Sequence, residues 1–435
     1  MAVKIGLVGT GTVGGGCIDI IQKHKDDFLR HFGVDIELAR VCSLSPAEAE
    51  AHGVGHLFTD NFNNIINDPE IDIVVELIGG TTIARTVVLN ALAAGKNVVT
   101  ANKALMATHG KEVMEAAEAA GKELAFEASV GGGIPIIDPL KHSLIANEIT
   151  SVMGIVNGTT NYMLTRMADN GLSYEDALHE AQQKGFAEAD PTADVGGFDA
   201  AAKIAILASI AFNSRVTLDD VFTDGITNIS PVDIEAARDM GYVIKLLAIA
   251  HRREDGVDVR VHPTMIPTNH QLATVNGVFN AISVNGDIVG ETLFYGRGAG
   301  KNPTASAVIS DIITAMRESR YPEYHTGFNP YAKACGIMHI NDTVTPYYVR
   351  FQVADQPGVI AEIARILATF GIGISATSSA PSHIDEGGAP WNDLVFILHS
   401  CPWGQLQKAL EEITRISCVA AEPRVLRIEH LLPQS

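Results

Sequence analysis

Four carboxylates and one lysine within residues 185–203 are the side chains of this 435-residue chain best placed to do chemistry. Glu188, Asp190, Asp194 and Asp199 lie in a stretch punctuated by Gly185, Pro191, Gly196 and Gly197, and Lys203 follows Asp199 by four residues. From Ala200 to Phe212 the chain is otherwise almost wholly apolar. The pattern predicts a buried helix with Asp199 and Lys203 on one face. Burial strips water from an ammonium group and lowers its pKa from a free value of about 10.4. A lysine poised in that way passes protons near neutral pH. The carboxylates ahead of it suit a substrate that carries an ammonium group. The same residues also fit an i,i+4 ion pair beside a solvated acidic loop, and both readings stand at this point.

Proton transfer needs a redox or group-transfer partner, and the N-terminus supplies a place for one. Lys4 to Val8 reads as a short buried strand. Gly9-Thr-Gly11-Thr12-Val13-Gly14 follows at once, and then an apolar helix-like run, Cys17 to Ile21. G-x-G-x-x-G between a strand and a helix is the dinucleotide-binding turn. The first glycine allows the tight turn, the second lets the backbone approach a pyrophosphate, and the third lets helix and strand pack closely. The second strand should end near Val41. It carries no acid at its tip to take the ribose hydroxyls, while Arg40, Ser43 and Ser45 could accommodate a 2′-phosphate. That favours NADP over NAD.

The rest of the chain is consistent with a multi-domain α/β enzyme. Its length suffices for two or three domains with sizeable cores. With 31 basic against 51 acidic residues the net charge is −20, which argues against nucleic acid or an anionic membrane as partner. The five cysteines, at positions 17, 42, 335, 401 and 418, show no paired spacing and read as free thiols in a reducing cytoplasm. No secretory leader is expected, and no apolar stretch reaches bilayer length. Residues 1–133 alternate strand and helix signals, as a Rossmann-type dinucleotide-binding domain does. Ile71 to Ile78 and Lys96 to Thr100 read as buried parallel strands. Gly131–Gly133 marks a break. Residues 134–304 form an α+β unit that carries the acidic loop. A helix from Ala305 to Met316 is placed to pack back on the first domain, and 305–340 to complete it. Residues 317–346 read as a connector.

From Tyr347 the pattern changes. Strand, turn (Asp355 to Gly358), helix (Ile360 to Phe370), two strands, helix (Leu406 to Ile413) and a last strand (Arg424 to Ile428) spell β-α-β-β-α-β, the ferredoxin-like plan, over 347–430. A polar stretch, Pro381 to Pro390, separates the middle strands. A purely structural dimerisation module is the alternative reading of this tail.

Six ordered segments make the chain resemble the homoserine dehydrogenase family. They are Gly9 to Gly14, Thr100-Ala-Asn102-Lys103-Ala-Leu, Glu127 to Pro135, Gly154-Ile-Val-Asn157-Gly-Thr-Thr-Asn161-Tyr, Gly185 to Lys203, and Tyr295-Gly-Arg-Gly298-Ala-Gly300. The resemblance runs to about residue 340, and the tail is similar to an ACT domain. No aspartokinase-like region precedes it, as in the family's monofunctional form. The resemblance implies NADP- or NAD-dependent interconversion of L-homoserine and L-aspartate 4-semialdehyde, in the biosynthesis of threonine, methionine and isoleucine. It implies Lys203 as proton donor and acceptor on the substrate oxygen, with Lys103 beside nicotinamide and substrate. Glu188 and Asp199 would hold the amino and hydroxyl ends, and Asp194 is a further active-site carboxylate. Gly9, Gly11, Thr12, Val13 and Gly14 would form the cofactor loop, and Gly185 and Gly300 would contact cofactor through their backbones. Glu127, Val130, Gly132 and Ile134 would hold a monovalent cation, sodium. On physical grounds alone that glycine-rich stretch reads as a hinge. A homodimer or tetramer, regulated by threonine bound to the ACT domain, is also implied. A non-catalytic amino-acid sensor on a dehydrogenase scaffold is the competing reading. A phosphorylating aldehyde dehydrogenase would need a catalytic cysteine, and residues 134–305 contain none.

Overall fold

The computed structural model describes residues 2–320, 329–331, 333–379, 383–384 and 390–429. Six parallel strands form the N-terminal sheet: β1 (Val3–Val8), β2 (Ile36–Cys42), β3 (Phe58–Thr59), β4 (Ile73–Glu76), β5 (Asn97–Thr100) and β6 (Leu124–Ala125). Their order is β3-β2-β1-β4-β5-β6, the Rossmann order. β4 and β5 are buried at every position, and their paired valines suit inner strands covered on both faces. The order reverses between β1 and β4. A crevice opens there beyond the carboxyl ends of the strands, where ligands of such sheets bind.

The Lys301–Arg320 helix closes this domain from far along the chain. Its Ala305, Val308, Ile309 and Ile312 share one apolar cluster with Ile5, Leu7 and Ile18.

The remaining strands are β7 (Ile149–Ile155), β8 (Phe222–Thr223), β9 (Tyr242–Arg253), β10 (Gly256–Pro267), β11 (Phe279–Gly286), β12 (Gly290–Arg297), β13 (Val344–Ala354), β14 (Ile374–Ser379), β15 (His383–Ile384), β16 (Pro390–Pro402) and β17 (Arg424–Ile428). They join in one mixed sheet ordered β12-β11-β7-β9-β10-β17-β13-β16-β14, with β8 on β10 and β15 on β16. The Phe198–Phe212 helix packs on β7, β9 and β10 and is buried nearly all round. The C-terminal part has the β-α-β-β-α-β order expected of it, with helices Val359–Thr369 and Trp403–Ile413. Most of Pro381 to Pro390, and residues 321–328 and 332 of the connector, lie outside the described residues.

The C-terminal unit does not stand apart. β17 pairs in parallel with β10 through Thr264–Arg427 and Met265–Ile428. One face of this seam is polar yet buried. Arg260, 1% exposed, binds Asp258 and Glu429 through its two terminal nitrogens, and its Nε meets His262 Nε2 at 3.1 Å. Arg427 lies between two rings, 4.9 Å from Phe222 and 4.7 Å from Trp403. The five cysteines are all free, in keeping with their unpaired spacing. Among the described residues, no helix is long and apolar enough to cross a membrane.

Candidate active site

The Phe198–Phe212 helix starts after Gly197, whose φ of 84° is left-handed and suits glycine. Its first turns present Asp199 and Lys203 from a buried surface. Lys203 Nζ donates to Asp199 Oδ2 at 2.7 Å and to the Val156 carbonyl at 2.6 Å. Lys103, the first residue of the Lys103–Ala120 helix at the end of β5, donates to the other Asp199 oxygen. One carboxylate therefore ties together a lysine from each domain. The Lys203 side chain is 9% exposed and that of Lys103 46%. Burial opposes ionisation of Asp199, but the two ammonium groups outweigh it and hold the carboxyl well below the usual range.

Both lysines line a cleft of about 310 Å³ between the domains, together with Gly79, Gly80, Gly132 and Gly298. Its wall is braced from below. Fully buried Glu76 accepts from Thr100 Oγ1 at 2.7 Å and from the Ile78 and Gly79 amides at 2.8 and 3.1 Å. Asn102 caps the Lys103–Ala120 helix and donates to the Gly80 carbonyl at 2.7 Å. Sequence reasoning assigned no role to Glu76, Thr100, Asn102 or Asn157. Asn102 is legible as an N-cap, standing just before an apolar helical run, whereas Asn157 is followed by Gly158-Thr-Thr-Asn161 and carries no such signal.

The dinucleotide turn has the required shape. A Cβ on Gly9 would lie 2.7 Å from the Leu77 carbonyl, and one on Gly14 only 2.0 Å from the Gly9 oxygen. Gly11 faces open space. No side chain caps the Thr12–Phe32 helix and no acid stands in its first turn, so the amides there can receive a pyrophosphate. A second cleft, about 350 Å³, adjoins this turn and is lined by Thr10, Gly11, Thr12, Glu48, His52 and Lys301. The strand–turn–helix and the cleft between domains have the form of a nicotinamide dinucleotide site.

The other predicted residues fall unevenly around this centre. Asp194 is half-buried and accepts from Asn157 Nδ2 at 2.7 Å; the same nitrogen donates to Asp199 Oδ2 at 2.8 Å. Glu188 is exposed on the loop, where its carbonyl accepts from Gln182. Gly185, φ 72°, follows the Tyr174–Gln183 helix at the surface and is not among the residues lining the cleft. Gly300, φ 122°, adjoins the cleft-lining Gly298 and Ala299.

Arg40 is half-exposed, and its Nη2 lies 3.4 Å from Asp68, in the loop leading into β4, where Lys96 also bonds the Asp68 carbonyl. Arg40 stands two residues before the end of β2, paired with Gly6 of β1. Ser43 does stand at the tip, its hydroxyl donating to the Ser45 carbonyl at 2.7 Å.

Glu127 is buried, and its carboxylate accepts from the Ile136, Ile137 and Asp138 amides at 2.6, 2.9 and 2.6 Å. Burial pushes its pKa up while those donors pull it down. The Val130, Gly132 and Ile134 carbonyls accept no backbone hydrogen bond among the described residues. Carbonyl oxygens and a carboxylate are the kind of donors that a hard, oxygen-seeking cation takes. Among the described residues no group of three His, Cys, Asp or Glu is placed to hold a metal ion.

Known proteins are similar to this chain. The homoserine dehydrogenase family profile matches residues 135–313, and the profile of the homoserine dehydrogenase NAD binding domain matches residues 9–127. The homoserine dehydrogenase of Pseudomonas aeruginosa is 42% identical over 436 residues, covering 99% of both chains. The crystal structure of a homoserine dehydrogenase from Thiobacillus denitrificans superposes with a TM-score of 0.93 at 41% identity, again over 99% of both chains. A hyperthermophilic archaeal homoserine dehydrogenase in complex with NADPH matches 73% of this chain and 98% of its own, with a TM-score of 0.63 and 27% identity. Its fold, its two lysines joined through one carboxylate and these relatives agree: the chain belongs to the homoserine dehydrogenase family, oxidoreductases acting on a CH–OH group.

Proposed function

We propose that the protein interconverts L-homoserine and L-aspartate 4-semialdehyde at the Lys103–Asp199–Lys203 centre, with NADP used at least as well as NAD. The observation that carries this reading is the bridge from Asp199 to a lysine of each domain, beside a cleft lined from both domains. The nicotinamide cofactor, when bound, accepts or returns the hydride. Gly9, Gly11, Thr12, Val13 and Gly14 would hold its pyrophosphate, and Gly185 and Gly300 would contact the cofactor through their backbones. In oxidation Lys203 takes the hydroxyl proton; in reduction it gives a proton to the developing alkoxide. Lys103 and Asp199 orient the oxygen, and Glu188 and Asp194 receive the substrate ammonium. The carbonyls of Val130, Gly132 and Ile134, with Glu127, would hold sodium and stiffen the domain junction. We divide the chain at 133/134 and 304/305, with 305–340 completing the first domain and 347–430 forming an ACT domain.

The test is an absorbance assay at the reduced-nicotinamide band, with L-homoserine and each cofactor in turn. No turnover with either cofactor would favour the non-catalytic sensor. Arg40 and Ser43, with no acid at the tip of β2, would accommodate the 2′-phosphate. Ser43→Asp should shift the NADP/NAD ratio of kcat/KM towards NAD, because a carboxylate repels the 2′-phosphate and binds ribose hydroxyls. A wild-type enzyme that ignores NADP contradicts this reading of β2.

We further propose that threonine binds the C-terminal unit across a homodimer or tetramer interface and lowers activity. Gly358, φ 97°, leads into the Val359–Thr369 helix, whose first amides have no side-chain cap. Such amides can take an amino-acid carboxylate. The effect should amount to about 1–3 kcal/mol of coupling. Calorimetry and inhibition assays should use the full chain, since deleting the tail would also strip Glu429 from Arg260. No binding of threonine at millimolar concentration would leave the tail as an assembly module.

A further inference from the structure

The amide of Asn157 faces two ways, and each face has a different job. Asn157 is buried and follows β7, one residue after Val156, whose carbonyl holds Lys203. Its Oδ1 accepts from the Thr160 amide and the Thr160 hydroxyl, both at 2.9 Å, and so caps the Gly158–Asn170 helix. With the oxygen pinned to a backbone N–H, the NH2 group has only one orientation. It points at Asp194 and Asp199, donating to each at 2.7 and 2.8 Å.

We propose that Asn157 is a positioning residue for the reaction, fixing the Asp199 carboxylate against Lys203 and tying Asp194 to the same centre. The proposal rests on the assignment of Lys203 and Asp199 above. Asp199 Oδ2 lies between two donors, Lys203 Nζ and Asn157 Nδ2. Lys103 holds the other oxygen. Without Asn157 the carboxylate has two flexible lysine stems as its side-chain partners and no rigid one. Lys203 spends two of its three N–H groups on Val156 and Asp199, leaving one for a substrate oxygen. Rotation of Asp199 would therefore misdirect that remaining N–H.

The residue type separates this role from capping. Aspartate and serine cap a helix about as well as asparagine. Neither can bridge two carboxylates: serine is too short, and aspartate carries no donor and adds a third negative charge. Helix capping alone does not require asparagine here; the bridge does.

Asn157→Ser, Asn157→Asp and Asn157→Ala would be compared by melting temperature and by the pH profiles of kcat and KM for homoserine oxidation. Positioning predicts that the serine variant melts near wild type yet loses about ten- to a hundredfold in kcat, the scale of an ångström's misplacement. In the aspartate variant the rising limb of the oxidation profile should move to higher pH, because added negative charge favours protonated Lys203. Serine and aspartate variants with wild-type kcat and pH profile, or losses of kcat that only track melting temperature across the three variants, would overturn the proposal. Lys203→Ala, assayed alongside, separates the two failures. An active Lys203→Ala refutes the acid–base assignment itself. An inactive one beside a silent Asn157→Ser refutes only the role of Asn157.

Discussion

Replacing Lys203 by alanine should leave a folded protein that has lost about 10²–10⁴-fold in turnover, the usual contribution of a positioned general acid–base group. Asp199 would keep Lys103 and Asn157 as partners, so the buried carboxylate is not abandoned and the structural cost stays modest. The Val156 carbonyl loses one donor. Lys203→Arg is the sharper companion. It preserves the positive charge, but a guanidinium does not release its proton in the working pH range and cannot act as the base. Both variants should bind cofactor normally and fail in the chemical step. Steady-state rates with homoserine, together with circular dichroism to verify folding, decide it. Turnover within a few-fold of wild type in the alanine variant would remove Lys203 from the mechanism.

The second large effect is expected far from the cleft. Arg260→Leu should destabilise the protein by about 3–5 kcal/mol, because it removes one partner from a buried ion cluster and leaves the others uncompensated. Burial works against the charge of Arg260, yet Glu429 and Asp258 outweigh it and raise its pKa. Burial likewise opposes ionisation of Asp258, and Arg260 prevails and lowers it. Without the guanidinium both carboxylates face a site with little water. Glu429→Gln should cost less, since Asp258 still neutralises Arg260 and Glu429 is already 12% exposed. The denaturant midpoint of each full-length variant gives the comparison. An Arg260→Leu protein within about 1 kcal/mol of wild type would mean that the seam tolerates unpaired carboxylates, contrary to the expected cost.

This seam also shows where sequence reading stops. Val257-Asp258-Val-Arg260-Val-His262 alternates apolar and polar residues, which in a strand predicts one face in the core and one in water. The alternation is real, but the polar face is covered by β17 and the C-terminal unit. Nothing within ten residues of Arg260 announces that Glu429 will meet it.

Lys245 makes the same point for the catalytic assignment. It too is a lysine in an apolar element, 3% exposed in β9, and burial pulls its pKa down to about 8. By composition alone it rivals Lys203. Its three donors end on Asn161, Val275 and Asn276, all neutral acceptors, and it lies outside the lining of the cleft between domains.

Local spacing determined the features that depend on few neighbours. These are the strand–turn–helix around Gly9 to Gly14, the shared face of Asp199 and Lys203, and the β-α-β-β-α-β order of the tail. Each follows from backbone sterics and the period of helix or strand, which act over a handful of residues. Only the tertiary structure decided which buried lysine faces the cofactor cleft, that Lys103 reaches Asp199 from 96 residues away, and that Asn157 joins two carboxylates. A charge inside a protein takes its chemistry from what surrounds it, and those surroundings are assembled from both domains when the chain folds.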